Sequence, residues 1–81
     1  MKREDIRQEV LEIMKSYSCA GTVLKESDSL ELDLNLDSLD RTELLMDLEI
    51  KFNIEINNEE AKKAYTVGDI VDIIFASLKK G

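Results

Sequence analysis

The chain's 81 residues suffice for one small domain with a modest core, and the absence of tryptophan, histidine and proline makes that core aliphatic and excludes zinc sets, Cys–His pairs and Ser–His–Asp triads. Eighteen acidic residues against 11 basic ones give a net charge of −7, which repels phosphates and argues against a nucleic-acid partner, while basic protein surfaces become natural ones. The single cysteine, Cys19, points to a reducing compartment, no apolar run approaches the ~20 residues of a membrane span, and the charged start MKREDIRQEV is unlike a signal peptide, so a cytoplasmic, non-catalytic protein without membrane insertion is expected.

In chain order, Ile6, Val10, Ile13, Met14 and Tyr17 recur at three- and four-residue spacing and predict a first helix. It fades near Ser18 to Gly21, where Gly21 suits a helix exit. From about Thr22 to Leu36 the periodicity is lost. KESDSLELDLNL alternates apolar and polar from Ser29 onwards, as a strand would, but no second strand exists to pair with it. A long structured loop is therefore expected, and loops of that length in compact domains are often functional. A second helix should run from near Ser38 to about Phe52. A short third one follows INN, with Asn57 as cap and Glu60 completing a capping-box pattern. The fourth begins at Thr66, paired with Asp69, and places Val67, Ile70, Val71, Ile74 and Leu78 on one face, with Lys79 and Lys80 at its negative C-terminal end. The expected fold is all-α. It is a small bundle of three longer helices and one short one, with a long loop between the first two, forming a single domain over 1–81.

The stretch DLNLDSLDRTELLMDLE raises two readings. Asp33, Asn35 and Asp37 alternate as calcium ligands would. An EF-hand loop that starts at Asp33, however, would place Ser38 at its glycine position and Leu44 at its bidentate glutamate position, so no metal site is expected. The second reading is a helix with two apolar stripes. At ~100° per residue, Leu44, Leu45, Leu48 and Phe52 form a core face, and Leu39, Met46 and Ile50 form another roughly opposite. Asp40, Glu43 and Asp47 line one edge of that second stripe, and Glu49 flanks the other side. An apolar stripe with acidic edges suits docking to partners with basic rims; the alternative packs Leu39 and Met46 under the long loop. The candidate docking set is Leu39, Asp40, Thr42, Glu43, Met46, Asp47, Glu49 and Ile50. Ser38 stands at the helix mouth. With Asp37 as the cap, its hydroxyl either aids capping or carries a phosphate ester, which the helix dipole would favour by ~0.3–1 kcal/mol.

LDSLDRTELLMDLEIKFNIEI, followed by EEA and YTVGDIVDII, resembles acyl carrier proteins. The resemblance covers nearly the whole chain in order and is densest from Asp33 to Ile56 and from Thr66 to Ile74. It implies a four-helix bundle with a long first loop. It also implies that Ser38, with Asp37 beside it, is the attachment serine for 4′-phosphopantetheine, transferred from coenzyme A by a phosphopantetheinyl transferase. The arm would hold acyl groups as thioesters and present them to acyl-transferring and acyl-modifying enzymes with basic docking surfaces, in fatty-acid or specialised lipid or polyketide synthesis. A monomer is implied, and Leu39, Glu43 and Met46 match the family's recognition helix. The chain departs from the family at Asn35 and Asn53, where glycine is frequent, at Asn57, where proline is frequent, and at Ile50 and Lys51, where many relatives carry acids. These departures leave the serine untouched and point to a specialised pathway. The competing readings are an aminoacyl, peptidyl or D-alanyl carrier and an unmodified partner-docking domain.

Overall fold

The computed structural model describes residues 2–17 and 24–80. Its helices are α1 (Arg3–Lys15), α2 (Ser38–Phe52), α3 (Asn58–Lys62) and α4 (Val67–Lys80). The described residues contain no strand ladder, only an isolated antiparallel bridge between Ser29 and Thr66. Cys19 and the helix exit expected at Gly21 lie outside the described residues.

The helical periodicities translate directly into burial. Ile6, Val10 and Met14 of α1 and Val67, Ile70, Val71 and Ile74 of α4 are sealed against each other and against Leu44 and Leu48 of α2. The segment between α1 and α2 supplies the rest: Leu24, Leu30, Leu34 and Leu36 are all buried. A strand would have put Leu30, Leu32, Leu34 and Leu36 on one face, but Leu32 is 84% exposed. The chain curls instead. The N–H groups of Asp33 and Leu34 both donate to the Ser29 carbonyl, at 3.0 and 3.1 Å, and that of Leu36 donates to the Leu30 carbonyl at 3.0 Å. Each buried leucine contributes about 1.5–3 kcal/mol, so this loop is part of the core and not a tether.

The loop is fastened where α4 begins. A helix starts with four backbone N–H groups that lack intrahelical partners. Here all four are met. Thr66 N–H donates to the Asp69 carboxylate at 3.1 Å and Asp69 N–H to Thr66 Oγ1 at 3.2 Å, which is the expected capping box. Between them, Val67 N–H donates to the Asp28 carbonyl at 3.1 Å and Gly68 N–H to the Glu26 carbonyl at 2.9 Å. Gly68 permits this approach, because a Cβ there would lie 3.2 Å from both the carbonyl oxygen and Oε1 of Glu26. Arg3 then bolts three elements together. Its guanidinium donates to Glu26 in the loop, at 2.6 and 3.2 Å, and to Asp72 of α4 at 2.8 Å.

The short α3 departs from expectation at its cap. Asn57 Oδ1 accepts from Glu59 N–H at 2.8 Å, so the box with Glu60 is replaced by a single bond one residue earlier in a five-residue helix.

The Arg3 bonds hold the Glu26 carboxyl below the usual carboxylate range, against the opposing effect of burial. N–H bonds from Tyr65 and Thr66 do the same to Asp69. A depressed folded pKa means that the stabilisation is complete above the unfolded value and is lost as pH falls through the folded one. Asp69→Asn and Glu26→Gln should therefore lower the thermal midpoint at neutral pH, and the gap to wild type should close as pH drops below about 4. Melting curves across pH 2–7 check this, and a gap that stays constant would contradict it.

Candidate functional site

Ser38 owes its position to its neighbours on both sides. Leu36 is buried and pins the end of the loop. Asn35, one residue before it, takes φ 56°, a left-handed turn that asparagine tolerates better than other side chains do. Asp37 is the N-cap of α2. Its carboxylate accepts from Asp40 N–H at 2.8 Å, and the Asp40 carboxylate accepts from Asp37 N–H at 3.4 Å. With the cap supplied by Asp37, Ser38 is the first helical residue and is exposed. Its hydroxyl makes no hydrogen bond among the described residues, while its carbonyl accepts from Thr42 Oγ1 at 2.9 Å. A free hydroxyl in the positive field of a helix N-terminus suits an anionic ester.

Two stripes run down α2 from there. Leu44 and Leu48 are fully buried, with Leu45 and Phe52 partly buried against the same core. On the other side Leu39, Met46 and Ile50 are 67%, 56% and 78% exposed. They do not pack under the loop.

The charged residues divide by task. Glu43 is exposed, with no side-chain bond among the described residues. Asp47 accepts from the hydroxyl of Tyr17, two residues beyond α1. That bond, then burial, then the nearby charges of Asp47, Glu43 and Asp40 push the Tyr17 hydroxyl up to about 12. The phenol thus faces the acidic edge of α2. Glu49 is half-buried and accepts from Ile56 N–H at 2.9 Å, which ties α2 to the segment before α3. Lys51 pairs with Glu9 of α1 at 3.2 Å. As for the calcium pattern, Asp33 accepts from Ser29 N–H at 2.6 Å and Asp37 caps the helix, so both carboxylates have backbone partners.

A cleft of about 480 Å³ opens between α2 and α3 beside the serine. Ser38, Arg41, Leu45, Met46, Ile56 and Lys62 are among the residues that line it. Its outer wall is held mostly by polar bonds. No residue of α3 is fully buried, and Arg41 Nη2 donates to the carbonyls of Ala61 at 3.1 Å and Ala64 at 2.7 Å. Sequence reasoning passed over Arg41 and the inward task of Glu49, and read Tyr17 only as part of the apolar face of the first helix, without its bond to Asp47. The only signal for Arg41 was a lone cation in the acidic run SLDRTE, one turn after the serine.

A family model described as the phosphopantetheine attachment site matches residues 4–74. The acyl carrier protein of Wolinella succinogenes is 46% identical over 71 residues, 88% of this chain and 90% of that one. That of Prochlorococcus marinus is 43% identical over the full length of both chains. Among solved structures, the Enterococcus faecalis acyl carrier protein superposes with a TM-score of 0.79 at 33% identity, covering 95% of this chain and 99% of its own. A mitochondrial acyl carrier protein of Toxoplasma reaches a TM-score of 0.87 at 21% identity over 99% of this chain and 94% of its own, a likeness of fold.

The two stripes of α2 should respond differently to truncation. Leu48→Ala should cost about 2–5 kcal/mol, because it empties a fully buried position. Met46→Ala should change stability by no more than about 0.5 kcal/mol. Urea denaturation of both variants distinguishes the faces, and equal losses would show the assignment to be wrong.

Proposed function

The chain belongs to the acyl carrier protein family, whose members carry 4′-phosphopantetheine and are not catalysts, and we propose that Ser38 is the residue to which the arm is joined. The observation that carries this reading is the exposed, unbonded Ser38 hydroxyl at the first position of α2, with the capping duty taken by Asp37. When attached, the arm supplies a thiol that holds an acyl group as a thioester. Backbone N–H groups and the dipole of α2 favour the phosphodiester at Ser38 by about 0.3–1 kcal/mol. Leu45, Met46, Ile56 and Ala61 offer apolar surface beside it on which an acyl chain can lie.

Membership implies interaction with a phosphopantetheinyl transferase and with enzymes that handle acyl groups. Our finer reading is that these partners present basic surfaces. They meet Asp40, Thr42, Glu43 and Asp47 first and then cover Leu39, Met46 and Ile50 next to the arm. Glu49 contributes from its inner edge by holding the cleft wall. The replacement of acids by Ile50 and Lys51 supports service in a specialised lipid or polyketide pathway. The protein would act as a single carrier unit over 1–81, as a monomer in the cytoplasm. No helix among the described residues is long and apolar enough to cross a membrane.

Incubation with coenzyme A and a broad-specificity transferase should add one phosphopantetheinyl group to the wild type and none to Ser38→Ala, as read by intact mass. No gain, or an equal gain in the variant, would overturn the assignment.

Glu43→Lys should slow modification at low salt and flatten its dependence on ionic strength, because rim charges act chiefly on association rate. Met46→Ala should weaken docking and leave that slope unchanged. Transferase rates across ionic strength test both. A Glu43→Lys protein modified as fast as wild type at low salt would reduce the acidic edge to a solvated face.

A further inference from the structure

The cleft beside Ser38 has a charge unlike that of the molecule around it. The chain carries −7 overall, yet Arg41 and Lys62 both line this cleft. Neither is ion-paired with a carboxylate among the described residues, whose pairs involve Arg3, Arg7 and Lys51. The one carboxylate in the lining, Glu49, already accepts the Ile56 N–H. Arg41 is half-buried and pre-set: Nη2 is gripped by the Ala61 and Ala64 carbonyls, which are neutral and leave its charge in place. Nε and Nη1 make no bond among the described residues. With Nη2 occupied, the guanidinium keeps Nε–H and Nη1–H as separate single donors, either of which can give a carboxylate or phosphate oxygen a charge-assisted hydrogen bond, and partial burial limits screening by salt. Arg41 also lies three residues after Ser38, so the two side chains leave the same face of α2 with Cβ atoms ~5–6 Å apart.

We propose that Arg41, assisted by Lys62, makes this cleft a holder for an oxyanion. The inference rests on the carrier reading above and narrows it. The anion is either the phosphodiester of the arm itself, drawn toward the cleft and away from solvent, or a carboxylate at the far end of the cargo. In the second case the apolar lining takes the methylenes of a dicarboxylic half-thioester and the guanidinium takes its terminus.

Three measurements on wild type, Arg41→Met and Lys62→Met test it. The first uses the unmodified protein and needs no arm. Inorganic phosphate and, separately, glutarate are titrated in while amide and arginine Nε resonances are followed by NMR. Saturable shifts at residues 38–41 and 61–62 are expected in wild type and lost in Arg41→Met. The second follows the ³¹P resonance of the arm-bearing protein, which should differ between wild type and Arg41→Met if the phosphodiester is the anion. The third loads glutaryl or pentanoyl thioesters from the corresponding coenzyme A derivatives and measures cleavage by hydroxylamine, with the same thioesters of free pantetheine as reference. If the cargo carboxylate is the anion, the glutaryl form should be protected about tenfold more than the pentanoyl form, as one charged hydrogen bond would give, and Arg41→Met should erase the difference. Lys62 is exposed, so Lys62→Met will fold even if Arg41→Met does not, and it should weaken whichever response is seen. A response in the second or third measurement alone identifies the source of the anion and supports the proposal. No arginine-dependent response in any of the three overturns it. If Ser38 accepts no arm, the attachment reading fails, and the titration of the unmodified protein still decides this one.

Discussion

The structure depends on two loop carbonyls, those of Glu26 and Asp28, which satisfy the first free N–H groups of α4. Without them a helix end would be left with unmet donors against a buried surface, at a cost of about 1–3 kcal/mol each. With them the segment between α1 and α2 is held against the core, and Leu24, Leu30, Leu34 and Leu36 can be buried. Arg3 reinforces the join by linking α1, Glu26 and α4 through one guanidinium. The Thr-Val-Gly-Asp segment has a single physical meaning in this setting. Thr66 and Asp69 cap each other, and Gly68 leaves room for the Glu26 carbonyl. The position of Ser38 follows from the same join, since Leu36 is the last anchored residue before it.

Helix α2 serves the core with one face and leaves the other open, and most of its charged side chains hold that arrangement in place. Asp37 and Asp40 cap it, Lys51 ties it to α1, Asp47 ties it to Tyr17 just beyond α1, Glu49 ties it to the segment before α3, and Arg41 ties it to the end of α3. The open face is therefore presented on a braced scaffold, as a docking surface requires if association is not to pay for ordering it. The cleft is different. Its α3 wall has no fully buried residue, and a wall secured largely by polar bonds can yield at less cost than one secured by packing.

The three asparagine departures from the family pattern each have a local reason in the backbone. Asn35 and Asn53 have φ of 56° and 54°, the left-handed region where glycine is easiest and asparagine next. Asn57 has φ −66°, the value that proline's ring imposes, and it adds a cap bond that proline could not make. These substitutions keep the turns that a glycine or proline would otherwise set.

By itself the sequence determined the four helices, the cap at Asp37, the capping box at the start of α4, the two stripes of α2 and the place of Ser38 at its mouth. All of these depend on residues within a turn or two of each other, where periodicity and capping chemistry are explicit. The loop was legible only as a loop. The alternation of Leu30, Leu32, Leu34 and Leu36 has strand period; the chain instead curls through N–H bonds onto the Ser29 and Leu30 carbonyls, and the curl is fastened by bonds that join Leu30, Asp28 and Glu26 to Tyr65, Val67 and Gly68, more than thirty residues away. Glu49 shows the same limit, since nothing near it in the chain says that its carboxylate turns inward to Ile56. Tertiary structure alone also placed Tyr17 against Asp47 and Arg41 against the carbonyls of Ala61 and Ala64, because a side chain's partner across 20 or 30 residues is chosen by packing and leaves no period in the sequence.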